Sequence, residues 1–103
     1  MNWQEQQIQS AWENGEVADK ANPSKWRKDA CGAWIAREHY DDCSSCFGWV
    51  IEKVDPDGAQ AGANPTNLRP CQWKNFGFKK NGKRTCPVIA NGGLNLDFST
   101  TNG

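Results

Sequence analysis

Between Phe47 and Gln72 the chain alternates, breaks and resumes, and this pattern constrains the fold more than any other part of the sequence. Phe47, Trp49 and Ile51 alternate with Gly48, Val50 and Glu52, the two-residue period of a strand with one face buried. The stretch DPDGAQAGANPT follows, a loop of about a dozen residues, a length at which function or mobility is expected. NLRPCQW then reads as a second short strand, which Pro70 places at a sheet edge because proline has no N–H to give to a ladder. With 103 residues in all, the chain is one domain over 1–98, followed by a frayed tail over 99–103.

The flanks add elements. Asn2 followed by Glu5 resembles a capping box, and Ile8, Ala11 and Trp12 share one helical face before Asn14-Gly15 stops the helix. Residues 15–25 are polar, with a turn at Asn22-Pro23. In CGAWIAREHY, periodicity leaves both a short strand and a turn of helix open. Residues 41–45 read as a loop. KNFGFKK is expected as a short helix weakened by Gly77. VIANGGLNLDF has apolar residues on either side of Asn91-Gly92-Gly93, a hairpin signal. The six tryptophans are expected to supply much of the core, Trp73 among them, since each ring buries a large area. The fold class is therefore α+β.

Twelve basic residues balance twelve acidic ones, so no bulk field draws the chain to a polyanion. The distribution is uneven. Glu5, Glu13, Glu16 and Asp19 face only Lys20 over residues 1–24, whereas residues 67–86 hold Arg69, Lys74, Lys79, Lys80, Lys83 and Arg84 with no acid. A local basic face on a neutral body follows. No stretch approaches the roughly 18 apolar residues of a membrane span, and the N-terminus shows no secretory pattern. Five cysteines, an odd number, argue against a complete disulfide framework. Together these features place the chain in a reducing cytoplasm.

Strand, loop, strand and basic helix in this order resemble the HNH, or ββα-metal, nucleases. AWENGEV, NPSKWRKDACGAWIAREHY, FGWVIEKV, NLRPCQWKN and KRTCPV are similar to segments of small HNH proteins of phages and bacteria, and they occur in the same order. The resemblance implies a ββα core, a two-stranded antiparallel hairpin plus a helix, with an N-terminal helix and a C-terminal hairpin around it. It also implies four site positions. The family's first strand ends in an Asp that holds a divalent metal and a His that takes a proton from water, and here Glu52 and Lys53 stand in those places. Asn67 matches the Asn that orients the His. Aligning Lys79 with the family's helical Lys puts Phe76 where an Asn ligand belongs.

These exchanges remove the chemistry. Glu52 still offers carboxylate oxygens to Mg²⁺, displaced by about a bond length. Lys53, a protonated ammonium, accepts no proton and repels a neighbouring cation. Phe76 offers no ligand atom. No catalytic Mg²⁺ is expected, and the resemblance implies a nuclease that no longer cuts. His39, the one histidine, lies outside the matching segment and is expected to be a surface or hydrogen-bonded residue rather than a replacement base.

Cys43-x-x-Cys46 has the knuckle spacing of a zinc site. Many HNH proteins carry structural zinc on two knuckles, but Gln72 and Asn75 occupy the places of the second. Cys71, Cys86 and Cys31 are candidates to complete a structural zinc set with Cys43 and Cys46, and they are equally readable as small buried apolar groups. Two binding expectations follow. In the first, Arg69, Lys74, Lys79, Lys80, Lys83 and Arg84 contact the phosphates of DNA or RNA while Phe76 and Phe78 meet bases. In the second, the chain blocks or assembles with a nucleic-acid-processing or defence protein, in a host cytoplasm if phage-encoded. A metal-dependent endonuclease with a Glu-Lys site is the third alternative.

Overall fold

Ile8, Ala11 and Trp12 make one apolar stripe, and in the computed structural model all three are buried on α1 (Glu5–Glu13). The structure describes residues 3–53, 67–76, 79–80, 83–84 and 86–98, with the backbone alone at 79–80 and 83–84. The DPDGAQAGANPT loop, the tail 99–103 and Asn2 lie outside the described residues. The helix is capped by Gln4, whose carbonyl accepts from the Gln7 and Ile8 N–H groups and whose own N–H donates to Gln7 Oε1 at 2.9 Å. The expected box from Asn2 to Glu5 is thus displaced by two residues. At the other end Asn14 donates its amide to the Leu68 carbonyl at 2.6 Å, tying the helix to a strand 54 residues on. A Cβ on Gly15 would stand 2.9 Å from Pro70 Cγ and 3.1 Å from the Trp12 carbonyl oxygen, so the turn needs glycine for close approach.

Four two-stranded antiparallel ladders are formed among the described residues. β1 (Trp26–Lys28) pairs with β2 (Trp34–Ala36), and a single 3₁₀ turn, Arg37–His39, follows. CGAWIAREHY therefore supplies both elements that its periodicity leaves open. β3 (Trp49–Lys53) pairs with β4 (Leu68–Gln72), Trp49 opposite Gln72 and Glu52 opposite Arg69. The Gln72 N–H leaves this ladder to donate to Asp29 Oδ2 at 2.9 Å. Pro70, two residues earlier, turns its N–H-less nitrogen to the same outer side, where no ladder bond is lost.

β5 (Lys79–Lys80) pairs with β6 (Lys83–Arg84). The stretch expected as a short helix after β4 is instead a turn over 73–76 and then this ladder. Among the described residues, no helix follows the antiparallel β3–β4 pair. β7 (Val88–Asn91) and β8 (Leu94–Asp97) close around Gly92-Gly93, as the Asn-Gly-Gly signal predicts, with Gly92 at φ +64°.

The core gathers Ile8, Ala11, Trp12, Ile35, Trp49, Ile51 and Leu68. Trp12 and Trp49 meet with ring centroids 5.3 Å apart. These two tryptophans are fully buried, whereas Trp3, Trp26, Trp34 and Trp73 are half-buried. The tryptophan load is thus divided between core and surface, and Trp73 is not a core residue. Its indole N–H donates to the Ser45 carbonyl at 2.8 Å. No helix of the described residues is long and apolar enough to cross a membrane.

Candidate functional site

The β3–β4 register brings Glu52, Lys53 and Asn67 to one end of the hairpin, since Glu52 faces Arg69, Lys53 faces Leu68, and Asn67 directly precedes Leu68. Glu52 departs from simple alternation: it is 7 % exposed, next to buried Ile51. Its carboxylate is buried because Arg69 Nε donates to Oε2 at 2.6 Å from across the ladder. A carboxylate held this way spends acceptor capacity on a guanidinium, and a metal ion would have to displace that cation. Lys53 is exposed. Phe76 is 52 % exposed and lies at the end of the 73–76 turn, so no helix among the described residues presents it to Glu52.

The residue before it is the buried one. Asn75 donates its amide to Asp29 Oδ2 and to the Val88 carbonyl, each at 3.0 Å, and its Oδ1 accepts the Val88 N–H at 2.9 Å. Asp29, 2 % exposed, also accepts the Cys31 and Ala33 N–H groups on Oδ1 and the Gln72 N–H on Oδ2. This pair is a polar hub joining the β1–β2 turn, the end of β4 and the start of β7. Such a network is stable because each buried group has partners. Sequence reasoning missed Asp29. The available signal was Asp29-Ala30-Cys31-Gly32, an acidic residue opening a turn that closes on a glycine at φ +83°.

Cys31 and Cys86 form a disulfide, with Cα atoms 5.6 Å apart. An odd cysteine count is satisfied by one bridge and three other cysteines. One bridge with three other cysteines is not a complete disulfide framework, as the odd count implies. While bonded, Cys31 and Cys86 supply no thiolate to zinc. Cys43 and Cys46 are exposed, and Cys71 is buried on β4 with its thiol against the Gln72 carbonyl. Among the described residues no group of three or more His, Cys, Asp or Glu is placed to hold a metal ion.

The 41–47 loop that carries Cys43 and Cys46 is closed by its own polar groups. His39 Nδ1 shares a hydrogen bond with Ser45 Oγ, which also accepts the Phe47 N–H. His39 is therefore a half-buried, hydrogen-bonded histidine. Asp42 accepts both the N–H and the hydroxyl of Ser44, and these bonds hold its carboxyl below the ordinary aspartate range. Gly48 ends the loop, and a Cβ there would stand 1.9 Å from the Asp42 carbonyl oxygen.

The basic residues divide into two groups. Arg69 is committed to Glu52, and Lys74 Nζ contacts Asp97 Oδ2 at 2.5 Å and lies 5.2 Å from the Trp73 ring centroid. Both were candidate phosphate contacts, and both are held by acids. Lys79, Lys80, Lys83 and Arg84 are described as backbone, in the β5–β6 rungs Lys79 opposite Arg84 and Lys80 opposite Lys83. Phe78 lies outside the described residues. Sequence reasoning also missed a half-buried aromatic run, Trp34 to Trp26 to Phe47, in which successive rings meet edge to face at 6.3 and 5.1 Å. Compared with known proteins, the chain matches no family model, no curated protein and no solved structure at a significant level.

Proposed function

We propose that this chain is a non-cleaving, nucleic-acid-binding module on an HNH-like scaffold. The observation that carries this is the β5–β6 register, which fills two consecutive cross-strand rungs with four cationic residues, Lys79 opposite Arg84 and Lys80 opposite Lys83. Like charges set opposite one another destabilise a sheet, and a polyanion lying against such a hairpin relieves the repulsion while releasing its own counterions. Exposed Phe76, just upstream, offers a ring to a base. Arg69 and Lys74 serve the framework in this function, through Glu52 and Asp97.

The Glu52–Arg69 ion pair and the Lys53 ammonium weigh against the divalent-metal endonuclease alternative, which needs an available carboxylate and a proton acceptor. Structural zinc, if bound, would rest on Cys43 and Cys46. Cytoplasmic action, in a host cell for a phage-encoded chain, requires that the fold outlast reduction of Cys31–Cys86.

The test is a gel shift with DNA and RNA across a salt series, run beside a plasmid-nicking assay with Mg²⁺ and Mn²⁺. Binding should weaken steeply with salt, with the slope reduced by Lys79→Ala or Lys83→Ala. Absence of any shift at low salt overturns the proposal, as does metal-dependent nicking that Glu52→Ala abolishes. One observation favours a protein partner as the second reading: Leu94, Leu96 and Phe98 on the outer face of the last hairpin are 69, 41 and 51 % exposed. A stoichiometric partner in a pull-down, lost with Leu96→Asp, would support it.

A further inference from the structure

On the β1–β2 ladder Lys28 faces Trp34 and Trp26 faces Ala36, so Trp26, Lys28 and Trp34 share the face opposite to Arg27 and buried Ile35. Both indoles on that face are half-buried, which core packing does not require of them. They meet edge to face, 87° between planes, and wall a cleft of about 320 Å³ completed by Lys20, Ala21, Asn22 and Gly93.

The walls are fixed in advance. Trp34 donates its indole N–H to the Gly92 carbonyl at 2.6 Å, and its backbone N–H and carbonyl both bond to the Asn95 amide. Trp26 rests against Phe47. Asn22, at the rim, is fixed by the Ser24 N–H, which donates to its Oδ1 at 3.0 Å. Lys28 Nζ lies 4.9 Å from the Trp34 ring centroid. Lys20 is the one cation among the described lining residues, Lys28 stands over Trp34, and no acid is among those lining residues.

We propose that this cleft takes one unstacked base of a single-stranded nucleic acid, with Lys20 in its lining and Lys28 over Trp34 drawing the backbone phosphates on either side. Two perpendicular aromatic walls let a flat ring stack on one indole while its edge meets the other. A volume of about 320 Å³ suits a single ring system with its sugar. Lys20 in the lining and Lys28 over Trp34 suit a phosphate backbone, which a neutral sugar would not supply. This inference rests on the nucleic-acid-binding function proposed above, but on different residues, so the two separate experimentally.

The experiment is fluorescence-anisotropy titration of the full chain with oligothymidylate and with a duplex of equal length, together with quenching of the intrinsic tryptophan emission. Trp26→Leu should weaken single-strand binding about tenfold or more and leave duplex binding unchanged. The Lys20→Gln/Lys28→Gln variant, which touches no core residue, should do the same more mildly, while Lys79→Ala/Lys83→Ala should weaken both. Oligothymidylate should quench the wild-type emission. If the Lys20/Lys28 variant binds oligothymidylate as wild type does, or if a neutral oligosaccharide quenches and oligothymidylate does not, the cleft inference falls. Retained duplex binding that is lost with Lys79→Ala/Lys83→Ala would then leave the broader function standing. No binding to either nucleic acid removes both.

Discussion

Arg69 stands directly across the β3–β4 ladder from Glu52 and donates to its carboxylate at 2.6 Å, with Glu52 7 % exposed. The buried acid is answered by a cation of the chain itself. Arg69→Ala removes that answer and leaves a buried charge. The expected loss is about 2 kcal/mol in denaturant unfolding, below the usual cost of breaking a fully buried pair because Arg69 is partly solvated. Adding Glu52→Gln to Arg69→Ala should recover much of it, since the amide carries no charge. If the double variant is no more stable than Arg69→Ala, the ion pair is not what burial of Glu52 depends on.

Gly48 answers to a different constraint. A Cβ placed there would lie 1.9 Å from the Asp42 carbonyl oxygen and 3.1 Å from Trp73 Cδ1. The nearer contact is backbone, so no rotamer change relieves it. Gly48→Ala should cost about 2–4 kcal/mol, read as a lowered Tm. A variant as stable as the parent would mean that the 41–47 loop moves freely against β3.

The Cys31–Cys86 bridge closes 55 residues of sequence. Restricting the unfolded chain over such a loop stabilises the fold by about 4 kcal/mol. The denaturation midpoint should fall in dithiothreitol, and the Cys31→Ser/Cys86→Ser variant should match the reduced parent. Equal midpoints with and without reductant would show that the bridge adds nothing, and a reducing cytoplasm would then suit the chain equally well.

Asp42 supplies the pH dependence. Hydrogen bonds from the Ser44 hydroxyl and N–H depress its carboxyl in the folded chain. Its contribution is therefore complete above the unfolded aspartate value and is lost as pH falls through the lower folded value. A carboxyl-carbon NMR titration should give a midpoint below that of ordinary aspartate, and Ser44→Ala should raise it. An unchanged midpoint in Ser44→Ala would assign the shift elsewhere.

What the sequence discloses and what it hides follow the range of the interactions. α1 is legible because Ile8, Ala11 and Trp12 repeat at helical spacing, and β7–β8 because Asn91-Gly92-Gly93 dictates a tight turn. β1 is hidden: Trp26-Arg27-Lys28 shows no alternation, and its strand form is set by pairing with Trp34–Ala36. The expected helix after β4 fails for a similar reason. Asn75 is drawn inward by Asp29 and Val88, 46 and 13 residues away, and those bonds override a weak local propensity. The basic residues could be named from the sequence. That Arg69 and Lys74 are engaged by Glu52 and Asp97 depends on pairs separated by 17 and 23 positions, which no local window reveals.

The Asp29–Asn75–Val88 hub has a consequence for how the chain is made. Its acceptor emerges from the ribosome early, its amide 46 residues later, and the last backbone group only after Val88, a further 13 residues on, has cleared the exit tunnel. Asp29 Oδ1 takes the Cys31 and Ala33 N–H groups of its own turn early, but Oδ2 waits for Gln72 and Asn75, and Asn75 is not itself held until Val88 arrives. Synthesis halted anywhere short of residue 88 should therefore yield a protease-sensitive nascent chain, with the N-terminal half becoming resistant in a single step as the final hairpin arrives.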